Sequence, residues 1–272
     1  MAAELIPALV RRALLEDGAF DDVTSPIVGA ARARGRFVAR QDLVVCGLGV
    51  AREAFRQAGA SFSPRTKDGA RLRKGAVLAV VSGRARNVLA GERTALNFVQ
   101  QLSGVATLTR RFVDRARPAR ILDTRKTTPG LRALEKYAVR CGGGTNHRMG
   151  LDDRVLIKDN HVAAVGDIER LREKVYEFAS KGLPIEIEAQ DLEQALVFST
   201  FPIQVLMLDN FPLPLLRRAV RLVRSVHPGL TIEASGGVTL ETVGPIARTG
   251  VDWISVGALT HSAPAVDISL EL

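Results

Sequence analysis

The apolar positions in the first part of the chain have a helical spacing at its start and a strand-like spacing afterwards. Residues 5–15 (LIPALVRRALL) predict a short amphipathic helix, because their apolar side chains fall on one face. The elements predicted after it are strands at 36–40, 42–46 and 77–81 and helices at 49–58 and 86–115. Together they predict an α+β domain with an antiparallel sheet, closed off by Pro118.

After Pro118, short apolar runs alternate with helical patterns. The predicted strands lie at 119–123, 154–158, 184–188, 203–208, 230–234 and 252–256, and the predicted helices at 131–140, 167–181, 191–198, 213–226 and 239–249. This alternation predicts a parallel sheet, either barrel-like or doubly wound. We therefore expect two domains, at residues 1–117 and 118–272, with the extreme C-terminus free to pack back on the first.

Polar, charged or glycine residues stand at the end of each of these six strands. In an α/β barrel the active site is built at this end from several strands, whereas a doubly wound sheet concentrates its site at one switch point. Simple capping of buried strands would account for about half of these positions. Polar residues at all six strand ends favour a barrel over a doubly wound sheet. Six strands are too few for a closed eight-stranded barrel, so we expect an incomplete, open α/β barrel that follows an N-terminal α+β sandwich domain.

The composition is that of an ordinary globular protein with a basic first part. The chain has 272 residues, of which 46% are hydrophobic and 25% charged, with 38 Lys+Arg against 29 Asp+Glu. Residues 1–120 hold 21 of the basic and 10 of the acidic residues, a balance of +11 that suggests a nucleic-acid-binding protein as one alternative. Aromatic residues make up only 5%, and the sequence has no helix-turn-helix or zinc signature, so we expect a solvated arginine-rich face and no nucleic acid.

The cysteines and the hydropathy bear on where the protein works. Cys46 and Cys141 cannot form a disulfide framework and show no CxxC spacing, which favours a reducing compartment and gives no support for zinc. No apolar run approaches the roughly 18–20 residues of a membrane span, and the N-terminus lacks the features of a secretory signal. We expect a cytoplasmic protein with no membrane association.

Five potential cations belong to the first two strand ends and the loops between them: Arg125, Lys126, His147, Arg148 and Lys158. Arginine offers a planar fork for a carboxylate or phosphate, and lysine a compact point charge. If the five side chains converge on a barrel mouth, they repel one another unless an anion with more than one charge is bound among them. The set therefore predicts a small polyanionic substrate.

Two carboxylates, Glu188 and Asp209, end adjacent predicted strands and could bind Mg²⁺, which prefers oxygen ligands. Glu186 shares the side-chain parity of Glu188, so parity alone does not choose between them, and the strand end favours Glu188. Glycine-rich turns end the last two strands, at Ser235-Gly236-Gly237 before a predicted helix and at Gly257. Such turns can hold a phosphate with backbone N–H groups, so the whole set suits transfer chemistry on a sugar phosphate.

The segment 121–161, which contains DTRKTTPG, NHRMGL and KDNH, resembles the quinolinate phosphoribosyltransferase family. The resemblance continues through residues 91–104, 205–210, 233–238 and 250–270. It implies an N-terminal sandwich domain, an incomplete barrel and the joining of quinolinate to 5-phosphoribosyl 1-diphosphate. The products would be nicotinate mononucleotide, diphosphate and CO₂, with Mg²⁺ as cofactor and no flavin, pyridoxal or nicotinamide group. A related barrel phosphoribosyltransferase with another substrate stays as the alternative.

The resemblance also implies a role for individual residues. The quinolinate carboxylates would be bound by Arg125, His147, Arg148 and Lys158. Lys126 would bridge towards the donor, and Glu188 and Asp209 would face the ribose and its Mg²⁺-diphosphate. The catalytic residues would be Lys126, Lys158, Glu188 and Asp209. The 5′-phosphate pocket would contain Ser235, Gly236, Gly237 and Gly257, with His261 in the same motif. Arg93 would enter the neighbouring site of a homodimer, a higher oligomer being left open.

Overall fold

The structure is a computed structural model that describes residues 2–272, with side chains from residue 5 onwards. Its helices are α1 (Ala2–Glu16), α2 (Leu48–Ala58), α3 (Ala85–Ala116), α4 (Arg132–Cys141), α5 (Asp159–Val165), α6 (Ile168–Ser180), α7 (Leu192–Phe198), α8 (Leu213–Val226), α9 (Val243–Ala247) and α10 (Ala258–His261), with a single 3-10 turn at Ser25–Val28. Its strands are β1 (Arg32–Ala39), β2 (Leu43–Val44), β3 (Ser61–Pro64), β4 (Arg71–Leu72), β5 (Val77–Arg84), β6 (Arg120–Leu122), β7 (Val155–Ile157), β8 (Ile185–Ala189), β9 (Val205–Asp209), β10 (Thr231–Ser235), β11 (Trp253–Ser255) and β12 (Ile268–Glu271).

The chain forms two compact units, each made of more than one segment. The first contains the residues up to Arg110, Thr128–Gly143 and Ser262–Leu272, and the second contains Arg111–Thr127 and Gly144–His261. Among the residues described, no helix is both long enough and apolar enough to cross a lipid bilayer.

The first unit contains an antiparallel four-stranded sheet in the order β12-β1-β5-β3, as the sequence pattern predicts. Strand β12, from the end of the chain, pairs with β1 and so completes this sheet. Phe37 of β1 packs edge-on against Phe55 and Phe62, with ring centroids 5.7 and 5.6 Å away, and these rings form the centre of the core.

The long helix α3 runs without a break through both of its glycines. At Gly104 the backbone of Pro264 lies where a side chain would otherwise stand. The glycine therefore permits a close approach within the first unit, which explains why a residue of low helix propensity is tolerated there.

The second unit contains a parallel six-stranded sheet in the order β6-β11-β10-β9-β8-β7. Consecutive strands are neighbours from β7 to β11, and the last strand lies beside the first, β6, as it does in a barrel. Between β6 and β7 the described residues form no ladder, and β6 makes only a bridge from Leu122 to Thr145. The prediction of an open, incomplete barrel is confirmed, and the doubly wound alternative is wrong.

The helix predicted at 239–249 is shorter in the structure, where α9 covers only Val243–Ala247. The reason is local, because the side chain of Thr242 accepts from the N–H of Thr239 at 2.9 Å and thereby stabilises a turn. The Ser235-Gly236-Gly237 turn therefore does not lead directly into a helix. The short elements β3, β4, β12, α5 and α10 were not predicted.

Candidate active site

A cavity of about 490 Å³ lies at the carboxyl ends of the six barrel strands. Every site residue predicted between Arg125 and Gly237 lines it: Arg125, Lys126, His147, Arg148, Lys158, Glu188, Asp209, Ser235, Gly236 and Gly237. The structure adds residues that the sequence reasoning did not single out: Thr124, Leu156, Asp159, Met207, Asn210 and Ser255. The convergence predicted from the strand ends is therefore present in the second unit.

One side of the cavity carries two arginines with unused hydrogen-bonding capacity. Nε of Arg125 and Nε of Arg148 are both buried, and neither has a hydrogen-bond partner among residues 2–272. Burial, and next the positive charge of Arg125, lower the pKa of Arg148. Because a buried donor without a partner is costly, this pair of guanidinium groups suits a ligand that supplies anionic oxygens.

His147 is held in one orientation by its neighbours. The backbone N–H of Arg148 donates to Nδ1 of His147 at 2.8 Å, so the ring proton is on Nε2, which faces the carboxylate of Glu186 at 3.1–3.2 Å. The ring of His147 is therefore fixed at both nitrogens, and its part in binding an anionic substrate stays a prediction. His147 thus both lines the cavity and contacts Glu186 below it.

The loop that carries His147 is anchored by Asp123, the first residue after β6. This fully buried carboxylate accepts from the backbone N–H of His147 at 2.9 Å and from Nδ2 of Asn146 at 2.5 Å. Asp123 is the last residue of the strand predicted at 119–123, and the sequence analysis gave it no role. The signal was its position immediately after a buried strand.

The opposite side of the cavity is acidic, with Glu188 at the end of β8 and Asp209 at the end of β9. Burial and the nearby charge of Asp209 raise the pKa of Glu188, whereas Lys158, with its ammonium nitrogen 3.7 Å from Glu188 Oε2, lowers it. A divalent cation would relieve this unfavourable pairing of carboxylates, and both residues offer oxygen ligands. These two side chains therefore fit a Mg²⁺ ion. Glu186, the other glutamate of the same parity, lies deeper and is fully buried.

A second group of metal-binding residue types lies inside the barrel. Ligand atoms of His147, Glu186 and Glu233 all lie within 4.8 Å of one another, and all three side chains are buried. However, the proton on Nε2 of His147 occupies the position that a metal would need, and Arg154 donates to Oε2 of Glu186 at 3.2 Å. This group is a hydrogen-bonded network rather than a metal site.

The turn after β10 opens its backbone to the cavity. Gly236 and Gly237 have φ values of +94° and +57°, and the position of a Cβ at Gly236 is already filled by the side chain of Asn210. Asn210 itself has φ +56° and donates its N–H to the carbonyl of Ser235 at 2.9 Å. Successive left-handed residues can present several N–H groups on one side, an arrangement that binds anions. Asn210 follows Asp209 directly in the sequence, but the sequence analysis gave it no part in this turn.

Three predicted residues are not among those lining the cavity. Gly257 lies beside Lys126 and His261, because a Cβ built on Gly257 would be 3.1 Å from Lys126 Cδ and 3.1 Å from His261 Nε2. Thr260 Oγ1 donates to the carbonyl of Lys126 at 2.7 Å and so connects the last turn to the lysine. Arg93 belongs to α3 in the first unit, where its side chain is exposed.

Comparison with known proteins covers almost the whole chain. Residues 22–103 match the family described as quinolinate phosphoribosyl transferase, N-terminal domain, and residues 105–271 match its C-terminal domain. The nicotinate-nucleotide pyrophosphorylase (carboxylating) of Mycobacterium leprae is 45% identical over 273 residues, which cover 97% of this chain and 95% of that protein. The chloroplastic protein of the same name from Oryza sativa subsp. japonica is 40% identical over 290 residues, covering 98% and 77%. The solved structure of the nicotinate-nucleotide pyrophosphorylase from Francisella tularensis gives a TM-score of 0.92 at 36% identity and covers 98% of this chain and 96% of that one.

Proposed function

Because this chain belongs to the quinolinate phosphoribosyltransferase family, we propose that its barrel cavity performs the decarboxylating phosphoribosyl transfer of NAD biosynthesis. The enzyme joins quinolinate to 5-phosphoribosyl 1-diphosphate and releases nicotinate mononucleotide, diphosphate and CO₂. The observation that carries the assignment of subsites is that Arg125 and Arg148, each with a buried Nε atom that has no hydrogen-bond partner among the described residues, line a cavity whose other side is acidic.

We assign the dicarboxylate to the cationic side of the cavity. Arg125 and Arg148 supply buried donors whose pairing with a carboxylate removes their unsatisfied state, and Lys158 adds a half-exposed ammonium group. Lys126 lines the cavity beside Gly257 and would contact the phosphoribosyl donor. These contacts orient quinolinate by both carboxylates, which fixes the direction of its ring nitrogen.

We assign the phosphoribosyl donor to the acidic and glycine-rich side. Ser235, Gly236 and Gly237 would bind the 5′-phosphate through backbone N–H groups and the serine hydroxyl, and Gly257 and His261 complete this end of the barrel. Glu188 and Asp209 would hold Mg²⁺ together with the donor's diphosphate. The ion, when bound, would neutralise charge that develops on the departing diphosphate.

The roles of the protein groups follow from the charge that develops during transfer. As the bond to diphosphate breaks, positive charge grows on the ribose, and the carboxylates of Glu188 and Asp209 stabilise it electrostatically. The quinolinate nitrogen then bonds to the sugar carbon and becomes cationic, which favours loss of the adjacent 2-carboxylate as CO₂. The electron pair left on that ring carbon takes up a proton from water to give the C–H bond of the product. Lys126 and Lys158 hold the anionic groups in place, and no covalent bond to the enzyme is needed.

Assembly and location are also part of the proposal. The exposed position of Arg93 on α3 suits a residue that reaches the site of a second subunit, so we propose a homodimer. The cytoplasm is the compartment that the two free cysteines favour.

The assay for this function is direct. The purified protein is incubated with quinolinate, 5-phosphoribosyl 1-diphosphate and Mg²⁺, and nicotinate mononucleotide is followed by its ultraviolet absorbance. Product formation that needs all three components is the expected result. No product at saturating concentrations would overturn the proposal.

A further inference from the structure

Glu186 is a fully buried carboxylate inside the barrel, one side-chain layer below the cavity-lining Glu188 on the same strand. A buried glutamate is costly unless it is well paired, so its partners indicate why it is present. Oε1 of Glu186 lies 3.2 Å from Nε2 of His147, and Oε2 accepts from the guanidinium of Arg154 at 3.2 Å. Neither of these two contacts involves the reacting atoms of the substrates.

Both partners of Glu186 also hydrogen-bond to the same residue, Arg148. Through the first route, the ring of His147, oriented by Glu186 at Nε2, accepts the backbone N–H of Arg148 at Nδ1 over 2.8 Å. Through the second, the backbone carbonyl of Arg154 accepts from Nη1 of Arg148 at 3.3 Å. The carboxylate of Glu186 is thus connected by hydrogen bonds, through His147 and through Arg154, to both the backbone N–H and the guanidinium group of Arg148.

Glu233, on β10, is a natural comparison within the same network. It is also fully buried and lies near Nε2 of His147, but at 3.9 Å rather than hydrogen-bonding distance. Its Oε1 accepts from Ser255 Oγ at 2.5 Å, and its Oε2 has no hydrogen-bond partner among residues 2–272. Burial and the neighbouring Glu186 raise the pKa of Glu233 well above its usual value. Of the two glutamates, Glu186 is the one that accepts a hydrogen bond from Arg154.

We propose that Glu186 is a positioning residue for recognition of the substrate dicarboxylate, acting through His147 and Arg154 to hold Arg148 in its binding orientation. This inference rests on the proposed role of Arg148 in binding quinolinate. In this arrangement the ring of His147 orients the backbone of Arg148. A supporting shell of this kind keeps a binding group within a fraction of an ångström of its working position.

Two isosteric substitutions, Glu186→Gln and Glu233→Gln, test the proposal as a matched pair. Each replaces one buried carboxyl group by an amide of the same shape next to the same imidazole. Glu186→Gln puts an amide in contact with His147 and Arg154 and removes the negative charge that orients them. We expect KM for quinolinate to rise roughly tenfold, with KM for 5-phosphoribosyl 1-diphosphate changed less than twofold. Glu233→Gln should leave both KM values within about twofold of the wild type, because Glu233 lies 3.9 Å from Nε2 of His147, beyond hydrogen-bonding distance, and makes no hydrogen bond to Arg154.

A purely structural role would give a different result, because loss of packing lowers kcat or the amount of folded enzyme without separating the two substrates. Equal changes in both KM values for Glu186→Gln, or a larger quinolinate effect for Glu233→Gln, would overturn the proposal. If Glu186→Gln does not fold, Arg154→Gln replaces it, since Arg154 is partly exposed and its loss interrupts one of the two routes. For Arg154→Gln we expect a smaller, roughly threefold rise in KM for quinolinate alone, and an unchanged value would contradict the proposal.

Arg148→Lys distinguishes failure of this inference from failure of the proposed function. If the wild type is active and Arg148→Lys raises KM for quinolinate while Glu186→Gln does not, the positioning role is wrong and the function stands. If the wild type forms no nicotinate mononucleotide, or if Arg148→Lys leaves KM for quinolinate unchanged, the assignment on which the inference rests has failed.

Discussion

The ammonium nitrogen of Lys158 lies 3.7 Å from Oε2 of Glu188, at the point where the cationic and acidic sides of the cavity meet. In the proposed site these two residues serve different substrates, since Lys158 binds quinolinate and Glu188 holds Mg²⁺ with the donor. Glu188→Gln should therefore weaken Mg²⁺-dependent donor binding by about ten- to a hundredfold and leave quinolinate binding nearly unchanged. Calorimetric titration of each substrate separates the two effects.

Gln190→Ala is the control for that substitution, because Nε2 of Gln190 donates to Oε1 of Glu188 at 2.8 Å without adding charge. We expect a loss of donor affinity of only about threefold. If Glu188→Gln weakens quinolinate binding more than donor binding, the division of the cavity into two sides is wrong.

The turn at Gly236 should be intolerant of any side chain. Its φ is +94°, and the side chain of Asn210 already fills the Cβ position, so Gly236→Ala must displace Asn210 and distort the proposed phosphate turn. We expect KM for the donor to rise roughly tenfold and the free energy of unfolding to fall by about 1–3 kcal/mol. Steady-state kinetics and urea unfolding measure the two changes.

Gly75→Ala provides the matched control for strain alone. Gly75 has φ +88°, and nothing lies within 4 Å of its Cβ position. The variant should lose stability to a similar or smaller extent with an unchanged donor KM. A donor effect of the same size in both variants would contradict a phosphate-binding role for the Gly236 turn.

The buried carboxyl of Glu233 predicts a pH dependence of stability. Burial and the neighbouring Glu186 raise its pKa well above the usual value for a glutamate, so the folded protein keeps a proton at pH values where the unfolded chain has released it. As the pH rises from about 5 towards 7, this group lowers the free energy of unfolding, by at most about 1.4 kcal/mol per pH unit. Glu233→Gln cannot ionise in the unfolded chain and should lack this loss. Urea unfolding across that pH range gives the difference between the proteins, and a difference that does not grow with pH would exclude a raised pKa.

Much of the fold and the composition of the cavity were predictable because parallel strands buried on both faces read as apolar runs, and their ends collect the polar residues. The choice of Glu188 over Glu186 followed from the strand end, and Glu188 does line the cavity whereas Glu186 is fully buried. The orientation of the His147 ring was not predictable, because it depends on hydrogen bonds to the backbone N–H of Arg148 and to the distant Glu186. The shortened helix α9 was missed because side-chain hydrogen bonds of Thr239 and Thr242 compete with helix formation.

Subunit mixing tests whether Arg93 acts across a dimer interface. Arg93→Ala and Arg125→Ala should each abolish most of the activity when alone. In a mixed dimer, one site combines an intact barrel with an intact Arg93 from the other subunit, whereas the second site lacks both groups. Random mixing should therefore restore about a quarter of the wild-type activity. Mixing that restores none, although mixed dimers form and each variant alone is inactive, would show that Arg93 acts within its own subunit.

The central claim is that this cavity transfers phosphoribose to quinolinate and removes its 2-carboxylate in the same reaction. The most direct measurement uses quinolinate with carbon-14 in that carboxylate, in competition with an equal concentration of unlabelled nicotinate. Our account predicts that one labelled CO₂ is released for each nicotinate mononucleotide formed, and that nicotinate contributes almost none of the product. Formation of nicotinate mononucleotide without release of label would contradict the account, because the product would then come from nicotinate through a related transfer that needs no decarboxylation.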